Sequence, residues 1–136
     1  MLLAGLLLAA AQPGQGCAIA IGAEADGSFA QAGYDSSPAR LTRLAAHTRL
    51  RFIGAARRLC AAGRLRPSDL ARFRTLIVQN GEGATEPILY REPGMEPGSW
   101  VFQFAFQNGG PPEPAAFEQA LRCWKHPRSP GCDLGD

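Results

Sequence analysis

Apolar residues recur every three or four positions along one segment of this chain, which predicts a long amphipathic α-helix starting near Pro38. Ser37 and Pro38 are typical of a helix start, because a proline in the first turn loses no hydrogen bond. Gly63 and Pro67 predict its end, before a short second helix in PSDLARF with Asp69 in its first turn. The expected buried stripe consists of Leu41, Leu44, Ala45, Thr48, Phe52, Ala55, Ala56 and Leu59.

After the second helix the pattern changes to one that is typical of strands. Residues 75–79 and 88–90 are rich in apolar, β-branched and aromatic residues and flank a glycine-rich connection. The strongest strand signal is SWVFQFAFQ, in which alternate positions 100, 102, 104 and 106 are all aromatic and the other face is mixed. One wholly aromatic face indicates a sheet that helices cover on a single side.

The last predicted helix runs from about Pro114 to Trp124. Residues 12–37 are small, polar and rich in glycine, and within them only CAIAIG indicates a weak edge strand. The order helix, short helix, three strands and helix predicts an α+β fold with a small antiparallel sheet of about three strands. The chain has no internal repeat, so we expect residues 38–136 to form a single α+β domain after an irregular segment, 12–37.

Residues 1–11 have the features of a secretory signal peptide. The apolar run is too short for the roughly 20 residues that span a bilayer, and it ends with Ala9 and Ala11 at the −3 and −1 positions. No lysine or arginine precedes the run, which departs from the usual pattern. We expect cleavage near Ala11 and a periplasmic or secreted mature chain without a transmembrane span. A lipid anchor at Cys17 is less favoured, because it would leave an odd number of cysteines.

Four cysteines in a small exported domain predict two disulfides. The slightly favoured pairing is Cys17–Cys60 with Cys123–Cys132, and its main rival joins Cys60 to Cys123. In the chain-entropy model the favoured bonds contribute about 4 and about 2.7 kcal/mol. Disulfides would therefore replace part of a modest hydrophobic core.

The terminal stretch CWKHPRSPGC contains two cysteines and a histidine, and it raises the question of a metal or redox site. It lacks the close Cys-x-x-Cys or His-x-x-x-His pair of zinc sites, and its cysteines are spaced too widely for a thioredoxin-type dithiol. We therefore interpret it as a disulfide-closed loop and expect neither a metal nor a cofactor.

Charge is distributed unevenly along the chain. Residues 40–74 contain ten arginines and one acid, a net charge of +9, whereas the remainder carries −7, which gives the total of +2. The candidate anion-binding face of the long helix consists of Arg40, Arg43, Arg51, Arg57 and Arg58. It would suit an acidic protein, an anionic lipid or an envelope polyanion. The alternative is a solvated helix face. Nucleic acid is disfavoured because the aromatic residues lie in an expected core strand, apart from the arginines.

A second interpretation is a small secreted hydrolase of the phosphodiesterase or nuclease kind. His47 and His126 would act as general base and acid, and Lys125 would stabilise developing negative charge. The sequence spacing does not bring these residues together, and the common hydrolase motifs are absent. A third interpretation is a structural component of the cell envelope. The sequence favours the first, an exported, non-enzymatic binding protein.

Overall fold

The structure, a computed structural model, describes residues 16–32, 36–81, 86–106 and 110–132. The predicted leader, 1–11, lies outside the described residues. In chain order the elements are β1 (Gly22–Ala25), a 3-10 helix (Gly27–Ala32), α1 (Pro38–Ala61), α2 (Pro67–Leu70), β2 (Thr75–Asn80), β3 (Ile88–Tyr90), β4 (Ser99–Phe104) and α3 (Pro114–Lys125).

The four strands form one mixed sheet in the order β1-β2-β4-β3. β1 is parallel to β2, β2 is parallel to β4, and β3 is antiparallel to β4. The predicted α+β class is confirmed, but the sheet has four strands rather than about three and is not wholly antiparallel. The additional strand is β1, which is parallel to β2. The remaining difference arises because β4 lies between β2 and β3, so these two strands, consecutive in the sequence, are not neighbours.

β1 carries little local signal, because its sequence, GAEA, contains no β-branched or aromatic residue. It begins at Gly22, the last residue of the stretch CAIAIG in which a weak strand was predicted. Ile21 and Phe29, on either side of β1, are buried, and the Arg49 guanidinium donates a hydrogen bond to the Ile21 carbonyl. The described part of residues 12–37 is therefore an integral part of the sheet and core rather than a wholly irregular segment.

The core lies between the sheet and the two long helices. The predicted stripe of α1 is buried as expected, and only Leu41 is partly exposed. The Phe52 ring lies 6.2 Å from that of Phe102 in β4, which stacks at 4.6 Å on Phe117 of α3. Gln79 and Gln103, on the opposite face of the sheet, are only half-buried. Helices thus cover the aromatic face of the sheet, as its composition predicted.

Helices α1 and α3 run in the same direction. Arg51 of α1 contacts the carbonyls of Pro111 and Pro112 just before α3, whereas Arg58, two turns later, pairs with Glu118 inside α3. α1 connects the parallel strands β1 and β2, so its last turn lies where β2 and β4 begin. Both helices therefore end at the edge of the sheet at which β2 and β4 start.

All four cysteines lie among the described residues and form the pairing favoured from the sequence. Cys17–Cys60 spans 43 residues and attaches the chain before β1 to the last turn of α1. Cys123–Cys132 spans nine residues and closes the loop that follows α3. Within the ranges described, no helix is long and apolar enough to cross a bilayer.

Candidate functional site

The five α1 arginines predicted as an anion-binding face do not form one free surface. The Arg51 guanidinium donates to the carbonyl oxygens of Pro111, at 3.1 Å, and Pro112. Arg58 Nε lies 3.0 Å from Glu118 Oε2. These two side chains therefore attach α3 to α1.

The other three predicted arginines, Arg40, Arg43 and Arg57, are exposed. Arg43 and Arg57 are four turns apart, a distance of about 21 Å along the helix axis. The exposed arginines of α1 therefore lie near its two ends and do not make a continuous patch.

The structure does not bring together the residues of the hydrolase interpretation. His47 is exposed on α1, fourteen residues or about 21 Å of helix axis before Ala61. His126 follows α3 and borders the same cleft as Gly63, beyond the end of α1. Lys125 Nζ is held 2.8 Å from Asp69 Oδ1. Two imidazoles this far apart cannot both reach one reacting group, so this pair provides no acid–base site.

Basic side chains from several elements are instead gathered at the edge of the sheet where β2 and β4 begin. The end of α1, α2, the end of β3 and the end of α3 all lie at this edge. We refer to this surface as the basic end, and it comprises Arg64, Arg66, Arg72, Arg91, Arg122, Lys125, His126 and Arg128. Two nearby carboxylates are already paired, Asp69 with Lys125 and Glu118 with Arg58. Glu92 and Glu96 lie beside Arg91 in the β3–β4 loop.

Arg64 is placed at this surface by the way α1 ends. Gly63 adopts a left-handed conformation with φ of 78°, and its amide donates to the Cys60 carbonyl. The Arg64 amide donates at 2.8 Å to the Leu59 carbonyl, which completes a Schellman motif. The left-handed cap predicted at Gly63 is thus confirmed, and it turns the chain directly into the basic end.

A cleft of about 390 Å³ lies between the end of α1 and the disulfide-closed loop after α3. Arg64, Arg122 and His126 all border it, and all three side chains are exposed. The rest of the lining is small or polar and consists of Gly63, Gln119, Ser129, Pro130, Gly131 and Cys132. The cleft is therefore a concave site with three basic groups and several hydrogen-bonding groups.

One wall of the cleft is held by both covalent and hydrogen bonds. This wall is the loop after α3, which the Cys123–Cys132 disulfide closes. Within it, the Ser129 amide donates to the His126 carbonyl at 3.1 Å. The Cys132 amide donates to the Ser129 carbonyl at 3.0 Å, and the Gln119 side-chain amide reaches the Gly131 carbonyl at 3.3 Å. These bonds fix the loop before any ligand arrives.

The ion pair between Asp69 and Lys125 joins α2 to the end of α3 at the basic end. Asp69 is buried, and its second oxygen accepts the Arg66 amide at 2.8 Å. Burial by itself raises the pKa of Asp69, but the hydrogen bonds from Lys125 and the Arg66 amide, with the charges of both residues, outweigh it and lower that pKa below its usual 3.8. The carboxylate is thus ionised at neutral pH and holds α3 against α2.

Two arginines of the basic end lie over indole rings, of which Trp100 is buried and Trp124 half-buried. The Arg72 guanidinium lies 5.6 Å from the Trp100 ring and 5.1 Å from the Trp124 ring, and Arg91 lies 5.6 Å from Trp100. The expected separation of aromatic residues from arginines is therefore wrong here. Trp100 is only 5% exposed, so its ring offers no free face on which a base could stack.

Sequence reasoning missed Arg64 and Arg122 as site residues. Gly63 marked the end of α1, and the cysteine spacing marked the loop after α3, but neither signal says that the two features face each other. That proximity follows from the parallel arrangement of α1 and α3, which depends on the order of the strands. Only the fold brings these two arginines to one cleft.

Among the residues that the structure describes, no three histidine, cysteine, aspartate or glutamate side chains are grouped so that they could hold a metal ion. The chain matches no protein-family model, no curated protein and no solved structure.

Proposed function

We propose that this protein is an exported, non-enzymatic domain that binds a polyanion of the cell envelope through its basic end. The observation that carries the proposal is the gathering of cations from α1, α2, β3 and α3 at one edge of the sheet. Asp69 and Glu118, the nearest carboxylates of the helices, are already paired there. A predominantly positive surface attracts and orients a partner of the opposite charge.

Export is supported by the oxidation state of the cysteines. All four form disulfides, and such bonds persist in oxidising compartments rather than in the reducing cytosol. The leader predicted at residues 1–11 agrees with this. Mass spectrometry of the natively expressed protein under non-reducing conditions tests it. We expect an amino terminus near Gln12 and no free thiol, and four free thiols on an uncleaved chain would contradict export.

Polyanion binding is tested by retention on immobilised heparin, a sulfated polysaccharide that serves as the probe. Changing Arg64→Glu together with Arg122→Glu reverses two charges of the basic end. We expect this variant to elute at a much lower salt concentration than the wild type, because both arginines are exposed and border the cleft.

The matched control is Arg40→Glu with Arg43→Glu at the start of α1, which changes the net charge by the same amount. We expect its retention to remain close to that of the wild type. Equal losses of heparin retention in the two variants would mean that only the total charge matters. A larger loss in the control would indicate that the binding surface lies at the beginning of α1.

A further inference from the structure

We propose that the cleft between the end of α1 and the 123–132 loop is a specific site for a phosphate monoester carried on a sugar-sized group. This inference rests on the proposed function, since it assigns a ligand to part of the basic end. It goes further because a discrete cleft selects one chemical group, whereas a charged surface attracts any polyanion.

The three basic groups of the cleft suit a phosphate monoester better than a carboxylate. Arg64 follows the α1 cap, Arg122 lies in the last turn of α3, and His126 follows that helix, so the ligand would be contacted from separate directions. A phosphate monoester carries a charge of about −1.5 to −2 at neutral pH and has three strong acceptor oxygens. Each guanidinium can donate two parallel hydrogen bonds to such a group. A carboxylate, with one charge and two oxygens, would leave part of this donor set unused.

The remaining lining fits a group that carries hydroxyls. The side-chain nitrogen of Gln119 is already bonded to Glu86 Oε2 and to the Gly131 carbonyl, each at 3.3 Å. Gln119 and Ser129, whose side chains carry hydrogen-bonding groups, both border the cleft. The volume of about 390 Å³ lies near the lower end of the roughly 300–1,000 Å³ that small-molecule sites occupy. A single phosphorylated sugar or headgroup matches this volume, and an extended polymer does not.

Pre-organisation strengthens the case, because a site that is already ordered loses little entropy when it binds. The Schellman motif fixes the chain at Arg64, and the Cys123–Cys132 disulfide with its two turns fixes the opposite wall. Both features are built from local bonds of the chain itself. The cleft therefore needs no large rearrangement to receive its ligand.

The test is a calorimetric titration of the disulfide-bonded protein with glucose 6-phosphate, with glucose and glucuronate as comparisons. We expect saturable binding of the sugar phosphate, weaker binding of the carboxylate and none of glucose. Arg122→Gln removes a charged donor without reversing the charge, and a hydrogen bond to a charged group is worth about 1.5–3 kcal/mol, so affinity should fall roughly 10- to 100-fold. Arg43→Gln, far along α1, should bind like the wild type.

Unchanged thermal unfolding of Arg122→Gln would show that its loss of binding is not a loss of folding, as expected for an exposed side chain. Should that variant unfold early, Arg64→Gln provides the same test from the other wall. The inference is overturned if glucose 6-phosphate fails to saturate the protein, or if it binds equally well after both substitutions.

A second arm distinguishes the source of the phosphate. Vesicles that contain phosphatidylinositol 4-phosphate present the same group on a lipid, and soluble inositol phosphate should displace them if the headgroup enters the cleft. Displacement identifies a lipid headgroup as one acceptable source, and binding of the sugar phosphate alone identifies a soluble ligand. If the protein is retained on heparin but does not bind the sugar phosphate, this inference is wrong and the proposed function stands. If the protein neither is retained on heparin nor binds the sugar phosphate, both are wrong.

Discussion

At the residue scale, the end of α1 shows how much a single backbone conformation controls. Gly63 has a positive φ, and a Cβ atom built on it would meet no atom within 4 Å. A substitution there is therefore opposed by backbone conformation alone, without a steric clash. The same residue sets the direction in which Arg64 leaves the helix, so it links the stability of α1 to the shape of the cleft.

Gly63→Ala should lower the free energy of unfolding by about 1–2 kcal/mol, the cost of a left-handed conformation for a residue with a Cβ atom. Urea denaturation measures the change. Gly27→Ala is the control, because its Cβ also meets nothing but its φ is not in the left-handed region. A loss at Gly27 as large as that at Gly63 would show that conformation is not the cause.

Asp69 gives a pH dependence whose sign follows from its environment. Because its folded pKa is lowered, its contribution to stability is complete above its usual pKa of 3.8 and is lost as pH falls through the lower folded value. Asp69→Asn should destabilise the protein by about 1–3 kcal/mol near neutral pH, since Lys125 loses its charged partner.

The difference in stability between wild type and Asp69→Asn should shrink as the pH is lowered from neutral to below 3.8, as measured by denaturation at several pH values. A difference that stayed constant over that range would mean that the ionised carboxylate is not what stabilises the contact between α2 and α3.

Residue-scale features that depend on neighbours in the sequence could be predicted, and those that depend on distant partners could not. The buried stripe of α1 and the cap at Gly63 were read from local pattern alone. The roles of Arg51 and Arg58 were not, because their partners lie about 60 positions away in the α3 region. The sequence around a helical arginine does not show whether its guanidinium has a distant hydrogen-bond partner.

At the element scale, the same contrast separates β4 from β1. β4 was predicted because its aromatic alternation is a strong local signal, whereas the GAEA sequence of β1 has almost none. β1 is held by its ladder to β2, by the buried Ile21 and Phe29, and by the nearby Cys17–Cys60 bond. Tertiary contacts thus determine this strand. The parallel order of the sheet also could not be predicted, because it depends on β4 pairing with both β2 and β3.

The two disulfides should contribute unequally because they close loops of different length. In the chain-entropy model Cys17→Ala with Cys60→Ala costs about 4 kcal/mol, and Cys123→Ala with Cys132→Ala costs about 2.7 kcal/mol. Urea denaturation of the two double variants tests this order. We also expect loss of the Cys17–Cys60 bond to disturb β1, since this bond anchors the chain just before that strand. Equal costs, or an undisturbed β1 by amide exchange, would contradict this role.

At the scale of the whole molecule, the fold converts an uneven charge along the sequence into an uneven charge in space. Most arginines lie between residues 40 and 74, and the sequence predicted that one helix, α1, would carry the anion-binding face. The fold instead uses Arg51 and Arg58 to hold α3, and it adds Arg91, Arg122 and Arg128 from later elements to the same end as Arg64. The excess of arginine could thus be read from the sequence, but its distribution over the surface could not.

If the basic end meets its partner mainly through charge, binding should weaken steeply with added salt. Each exposed arginine that contacts a polyanion displaces about one counterion, so Arg64→Gln with Arg122→Gln should reduce the slope of log affinity against log salt by about 2. Heparin binding measured across a range of sodium chloride concentrations gives that slope, and Arg40→Gln with Arg43→Gln should leave it unchanged. A slope equally reduced by both pairs would mean that the polyanion wraps the whole molecule, because arginines at opposite ends of α1 would then contribute alike.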